Sequence, residues 1–285
     1  MAEELYQNPL WEGINTGENM MTKRRTAVCG SVILFFSLLL VVAIPTVRAQ
    51  AILYDGFNGP DLDATKWTAD QSGSGGLEIV RTVTKGKRLL LAHRVVGNVN
   101  TNTGLNNSAN RLRFATHRGF HSIRFKVNVT EVDVQGCDAV NTTAAGRVGF
   151  FGAYFSDSVG TVSAFLFARR ESDSTDAPNL LRVTGNVTHC TDAECSSGED
   201  LGTVDLGTMP IGVNTALSLR WDEANNRFIF RKNLEPIQSI SYTLPVVVKR
   251  QGRTLSVGGE VPNCRTAPRP FAKISTFLDS VMIVD

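Results

Sequence analysis

From residue 50 onward the chain alternates apolar and polar positions in short runs. Ile123, Phe125, Val127 and Val129 interleave with Arg124, Lys126, Asn128 and Thr130, the period of two of a strand with one buried and one wet face. Val162, Ala164, Leu166 and Ala168 repeat the pattern, but Phe165 and Phe167 occupy the opposite face, which predicts a strand covered on both sides. Leu217, Leu219 and Trp221 lead through Asp222 to Arg227 into Phe228 and Phe230. This reads as a hairpin, with Asn225 and Asn226 tolerating the left-handed backbone of a tight connection. Gly- and Asn-rich breaks delimit further strands over 51–57, 77–83, 88–95, 110–114, 147–155, 180–187, 203–206, 239–243, 254–258 and 273–284. No helical periodicity, internal repeat or Pro-rich linker interrupts the series. Regular turns without helices exclude a parallel α/β fold and predict a sandwich or a closed barrel.

One run changes phase. Its apolar residues hold odd positions through Val129 and even positions at Val132 and Val134. A bulge near Thr130 reconciles the two. Without it, Glu131 and Asp133 continue along the apolar face, which then has to open into a polar groove.

The N-terminus has a different pattern. Residues 1–19 form a polar extension, and Met20 or Met21 offers an alternative start. Residues 20–49 place Lys23, Arg24 and Arg25 before SVILFFSLLLVVAIP, followed by Val47, Arg48 and Ala49. This is the order of a bacterial-type secretory signal, with cleavage expected after Ala49 or Ala51. The apolar run approaches the length of a membrane span, so an uncleaved anchor is the alternative and the chain's one expected membrane contact. Both readings export residues 50–285 as one domain, for which 285 residues at 42% hydrophobic content suffice. A formal charge of +2 and the absence of a binding motif argue against nucleic acid.

Cys29 precedes the apolar run, whereas a lipid-anchored cysteine follows one. The exported part keeps Cys137, Cys190, Cys195 and Cys264, an even number suited to disulfides in an oxidising compartment. Proximity assigns Cys190 to Cys195 and leaves Cys137 for Cys264. The spacing does not match a zinc site.

YDGF from Tyr54, LDATKW from Leu62, LRWDEANNRFIF from Leu219 and FLDSVMIV from Phe277 resemble segments of the concanavalin A-like lectin/glucanase superfamily. The resemblance spans most of residues 51–285. It implies an all-β, two-sheet antiparallel jelly-roll sandwich whose first and last strands are neighbours. The superfamily holds lectins, glycosidases and adhesive modules, so the fold alone leaves function open.

EVDVQG from Glu131 is similar to the acid motif of retaining glucanases of this fold. Hydrolysis needs one carboxylate as nucleophile and another as acid, close together. Here Gln135 and Gly136 stand where the further acid belongs, and the run belongs to an earlier strand than the glucanase motif. Glu131 and Asp133 are therefore expected as ligand-binding rather than catalytic residues. Tyr154, Tyr242 and Phe151 are candidate sugar platforms, because sugar rings stack their C–H faces on aromatics. His117 and His121 lack a third metal ligand nearby. The loop Glu171–Asp176 offers oxygen ligands of the kind calcium takes but without EF-hand spacing; no other cofactor is implied. Sequons at Asn106, Asn128, Asn141 and Asn186 matter only in a glycosylating host. The expected function is exported, non-catalytic binding of a glycan or cell-surface polymer. The alternatives are a structural or adhesive surface protein and, third, a glycoside hydrolase.

Overall fold

The computed structural model describes residues 50–73, 76–138, 142–191, 197–265 and 267–285. Residues 1–49, with the extension and the targeting segment, lie outside them. Two antiparallel sheets face each other. The eight-stranded sheet runs β13 (Gln238–Ser241), β12 (Arg227–Lys232), β11 (Thr215–Asp222), β6 (Ser122–Gln135), β15 (Phe271–Val284), β4 (Leu89–Val96) and β3 (Leu77–Thr84), with β1 (Ile52–Asp55) also paired to β15. The seven-stranded sheet runs β10 (Gly198–Pro210), β9 (Leu180–Cys190), β8 (Thr161–Glu171), β7 (Ala145–Ser156), β14 (Val248–Pro262), β5 (Leu105–Phe114) and β2 (Trp67–Gly73). The sheets keep free edges, so the fold is a sandwich and not a closed barrel.

The alternation decides what lies between them. Ile123, Phe125, Val127, Val129, Leu217, Leu219 and Phe230 from one sheet meet Val148, Phe150, Ala164, Leu166, Val183, Leu255 and Val257 from the other. Each of these Val, Leu, Ile and Phe side chains contributes about 1.5–3 kcal/mol by leaving water. Gly185 of β9 fixes one approach between the sheets: a Cβ there would lie 2.4 Å from the Phe230 ring. His93 of β4 also spans the interior, with Nε2 2.8 Å from the Ser108 hydroxyl of β5.

The N-terminal motifs explain themselves locally. The buried Asp55 carboxylate accepts hydrogen bonds from Trp67 Nε1 at 2.7 Å and from the Phe57 amide at 2.8 Å. Tyr54 donates its hydroxyl to the Lys66 carbonyl. YDGF and LDATKW are thus one clamp, and β1 lies against the end of β15 with Ile52 opposite Ile283. At the β11–β12 hairpin a short 3₁₀ turn over Glu223–Asn225 ends on Asn226 in the left-handed region, φ 48°.

Thr130 is the bulge. Glu131 pairs with Ser275 and Val129 with Thr276, so Thr130 is an extra residue and the phase resets. Val132 and Val134 turn inward, where a Cβ on Gly146 would lie 3.2 and 3.5 Å from them. Glu131 and Asp133 turn outward.

Strand β2 is absent from the sequence expectation. Of its seven residues only Trp67 is buried, so an edge strand offers almost no apolar alternation to read. Cys137, just past β6, is bonded to Cys264, just past β14, with Cα atoms 6.0 Å apart and a sequence separation of 127. A closed loop of that length stabilises by roughly 4–5 kcal/mol through the unfolded state. Cys190 is also disulfide-bonded, and Cys195, its expected partner, lies outside the described residues.

Candidate functional site

The outer face of the seven-stranded sheet carries a row of aromatics. Inward residues Val148 and Phe150 leave Arg147, Gly149, Phe151 and Ala153 of β7 pointing out, and the same parity turns Ser163, Phe165, Phe167 and Arg169 of β8 outward. Register then sets lateral neighbours. Phe151 stands between Thr254 and Phe165, and Phe165 is followed by Asn186 of β9 and Thr203 of β10. On the other side Thr254 neighbours Arg113. The Phe151 and Phe165 rings are 4.9 Å apart and Phe165 and Phe167 5.9 Å. All three are half-buried.

Glycine sets the relief of this surface. A Cβ on Gly149 would lie 2.6 Å from the Phe167 ring and 2.1 Å from the Leu166 carbonyl, so only glycine lets Phe167 settle against β7. The Arg147 guanidinium stands 5.6 Å above Phe167 and donates to Asn107 Oδ1 at 3.1 Å. At the far end of the row a cleft of about 590 Å³, within the usual range for small-ligand sites, is lined by Phe151, Ser156, Thr161, Ser163 and Arg250. Arg250 Nε donates to Ser156 Oγ at 2.5 Å.

Most carboxylates of this face are engaged. Asp70 holds Arg111 at 3.0 Å and Arg113 at 2.7 Å, Glu171 holds Arg169 at 2.9 Å, and Asp205 holds Arg182 at 3.1 Å. Asp157 in the cleft accepts the Val159 and Gly160 amides and faces His189 Nε2 at 3.1 Å. Those amides, with His189, hold its carboxyl below the usual range. Glu260 of β14 is opposite Ala145, across which stands Glu171.

The expected ligand residues do not gather here. Glu131 and Asp133 lie on the outer face of the other sheet, where Glu131 accepts from Lys273 Nζ at 2.5 Å. Tyr154 and Tyr242 are core residues, which corrects their assignment as platforms: Tyr154 is 0% exposed and Tyr242 6%. A bulge in β7 is the cause for Tyr154. Ala153 pairs with Ser163 and Phe155 with Val162, so Tyr154 is extra and both aromatics face inward. Burial pushes the Tyr154 phenol up, with the Arg253 guanidinium, 3.8 Å from the ring centre, opposing it. Tyr242 accepts from Trp221 Nε1 at 2.8 Å. Of the three platform candidates Phe151 alone reaches the surface. Phe165 and Phe167, expected beneath a second layer, are half-exposed with it. The signal for them was their outward phase; what the sequence lacks is the register that puts them beside Phe151.

The other candidates have structural partners. His117 Nδ1 is 2.7 Å from Asp285 Oδ2, and His121 packs on Trp221 with ring centres 5.0 Å apart. In the acidic loop Arg182 takes the Asp176 carboxylate at 2.5 Å, and Arg170 Nη1 donates to the Asp176 carbonyl at 2.9 Å. Among the described residues no group of three or more His, Cys, Asp or Glu is placed to hold a metal. Asn141 lies outside the described residues.

No family model and no curated protein matches the chain. Solved structures do. A glycoside hydrolase family 16 endo-glucanase from Bacteroides ovatus, solved with G4G3G-2F-DNP, is 12% identical, with a TM-score of 0.50 over 81% of this chain and 98% of its own. A second family 16 protein from Bacteroides ovatus, in complex with a G4G4G3G product, is 10% identical, TM-score 0.48, over 81% and 98%. The β-glucanase of Bacillus licheniformis is 10% identical, TM-score 0.45, over 81% and 96%. At 12% identity the first likeness concerns the fold alone: the chain has a two-sheet antiparallel jelly-roll fold of the concanavalin A-like kind.

Proposed function

We propose that the domain binds a glycan on the outer face of the seven-stranded sheet and does not cleave it. The observation that carries this reading is the row Thr254, Phe151, Phe165, Asn186, Thr203. Flat apolar rings at its centre suit the C–H faces of sugars, and polar groups on both sides suit their hydroxyls. Asn186 is held in place: its amide donates to Asp200 Oδ1 at 2.8 Å and Thr203 Oγ1 at 2.9 Å. The central strand offers Arg147, Gly149, Phe151 and Ala153 to this face and no acid. Disulfides suit an exported domain, with residues 20–49 as the export segment and 50–285 as the domain.

Hydrolysis has one observation in its favour. Glu260 and Glu171 flank Ala145 two strand spacings apart, about 10 Å at the backbone, beyond the 5–5.5 Å of a retaining pair and near the upper limit of an inverting one. Arg169 already holds Glu171. The test is affinity electrophoresis of the exported domain through a polysaccharide panel, with reducing-sugar release measured alongside. Retardation without release supports the proposal. Release abolished by Glu260→Gln would replace it with hydrolysis. No retardation across the panel would leave a structural or adhesive surface role.

A further inference from the structure

The two cations nearest the phenylalanine row are outside ion-pair distance of every described carboxylate, although Glu260 acts through space on the Arg147 guanidinium and favours its charged form. Among the described residues Arg147 and Arg250 form no ion pair, while Asp70, Glu171 and Asp205 on the same face are each held by arginine. Asp200, at the row's β10 end, is turned to the Gly202 amide and the Asn186 side chain. Asp157 in the cleft is turned to its own loop. Glu260 is the one carboxylate of the central strands without such a contact, and it lies one outward position past Gly258, the neighbour of Arg147. What the centre of the face presents to a ligand is therefore three rings and two guanidinium groups, with one carboxylate, Glu260, beside Arg147.

Their placement is uneven in a useful way. Arg147 caps Phe167 at one end, held by Asn107. Arg250 borders the cleft at the Phe151 end, held by Ser156, whose hydroxyl lies 2.9 Å from that of Thr161. Six residues of β7 separate the two ends, roughly 20 Å along the strand. Each guanidinium keeps N–H donors unspent, in the planar fork that matches carboxylate and sulfate oxygens.

Resting on the glycan-binding reading, we propose that the ligand is an acidic glycan whose carboxylate or sulfate groups are taken by Arg147 and Arg250 while its rings stack on Phe151 and Phe165. The purified domain is titrated with polygalacturonate, dextran sulfate and uncharged dextran at low and high salt. Binding to one or both acidic polymers at least tenfold tighter than to dextran, weakening with salt, is expected. Arg147→Gln with Arg250→Gln removes that preference. Arg124→Gln with Lys126→Gln, on the other sheet, is the control for diffuse charge and leaves it intact; circular dichroism confirms that all variants fold. If polygalacturonate retains and dextran sulfate does not, the anion is a carboxylate; the reverse assigns sulfate. Equal binding of dextran and the acidic polymers would overturn the acidic-glycan proposal and leave the glycan reading standing. So would a preference lost equally in the control. Absence of binding to all three polymers and to the wider panel would overturn both.

Discussion

The outer faces of the two sheets are built from the same residue types and arranged differently. On the eight-stranded sheet Phe271 and Phe277 are six residues apart on β15, and each is covered by one arginine, Arg94 at 5.1 Å and Arg88 at 4.5 Å. Arg94 is in turn held by Glu78 at 2.7 Å, and Lys273 by Glu131 at 2.5 Å. On the seven-stranded sheet Phe151, Phe165 and Phe167 adjoin across β7 and β8, with Arg147 over Phe167, and among the described residues neither Arg147 nor Arg250 is within ion-pair distance of a carboxylate. Aromatic and charge content alone therefore does not mark a site. Contiguity of the rings distinguishes one face from the other.

Disrupting what the faces share should affect both equally. Cys137→Ser with Cys264→Ser unlinks the end of β6 from the end of β14 and should cost roughly 4–5 kcal/mol of stability, read by denaturant unfolding. Ligand affinity of the folded fraction should be unchanged; a selective loss of glycan binding would mean that the bridge shapes the site.

His93 gives the next largest effect, also from between the sheets. Burial lowers its pKa from 6.5 to about 4, so the unfolded chain takes up a proton near pH 6.5 that the folded chain refuses until about pH 4. Its neutral form is stable above 6.5, and stability is lost as pH falls through that window. The shift corresponds to an upper bound of about 3 kcal/mol. Unfolding at pH 7 and pH 4 should show a smaller drop in His93→Gln than in the wild type, and equal drops would discount the residue.

Tyr154→Phe separates the core from the surface more finely. The Tyr154 hydroxyl is buried with no hydrogen-bond partner, so its removal should be neutral or stabilising by up to about 1 kcal/mol, with glycan binding intact. A loss of binding would return Tyr154 to the site. Smallest of all is Glu131→Gln with Asp133→Asn. Glu131 forms a partly exposed pair with Lys273, of a kind that contributes about 0–1 kcal/mol, so stability should shift by less than that and binding stay unchanged.

Legibility followed the physical origin of each feature. The strands, the Thr130 bulge and the long disulfide were readable because alternation, its change of phase and cysteine spacing are local or countable. β2 was not, since an edge strand with one buried residue has almost no periodicity. Tyr154 was misplaced for a related reason: a bulge leaves no mark where two aromatics, Tyr154 and Phe155, follow each other and either could be taken as the outward one. Phe165 and Phe167 were seen to face outward, but the sequence does not say that no second layer covers them. Nor does it give the register that sets them beside Phe151, since that depends on turn geometry and pairing across strands distant in sequence.

The central claim is that glycan contact belongs to one face only. Affinity electrophoresis against whichever polysaccharide retains the wild-type domain, run with Phe151→Ala/Phe165→Ala beside Phe271→Ala/Phe277→Ala, tests it directly. Both pairs remove two half-buried rings and should perturb stability comparably. The account predicts at least a tenfold loss of affinity, about 1.4 kcal/mol, for the first pair and none for the second. Equal losses, or a loss confined to Phe271→Ala/Phe277→Ala, would contradict it.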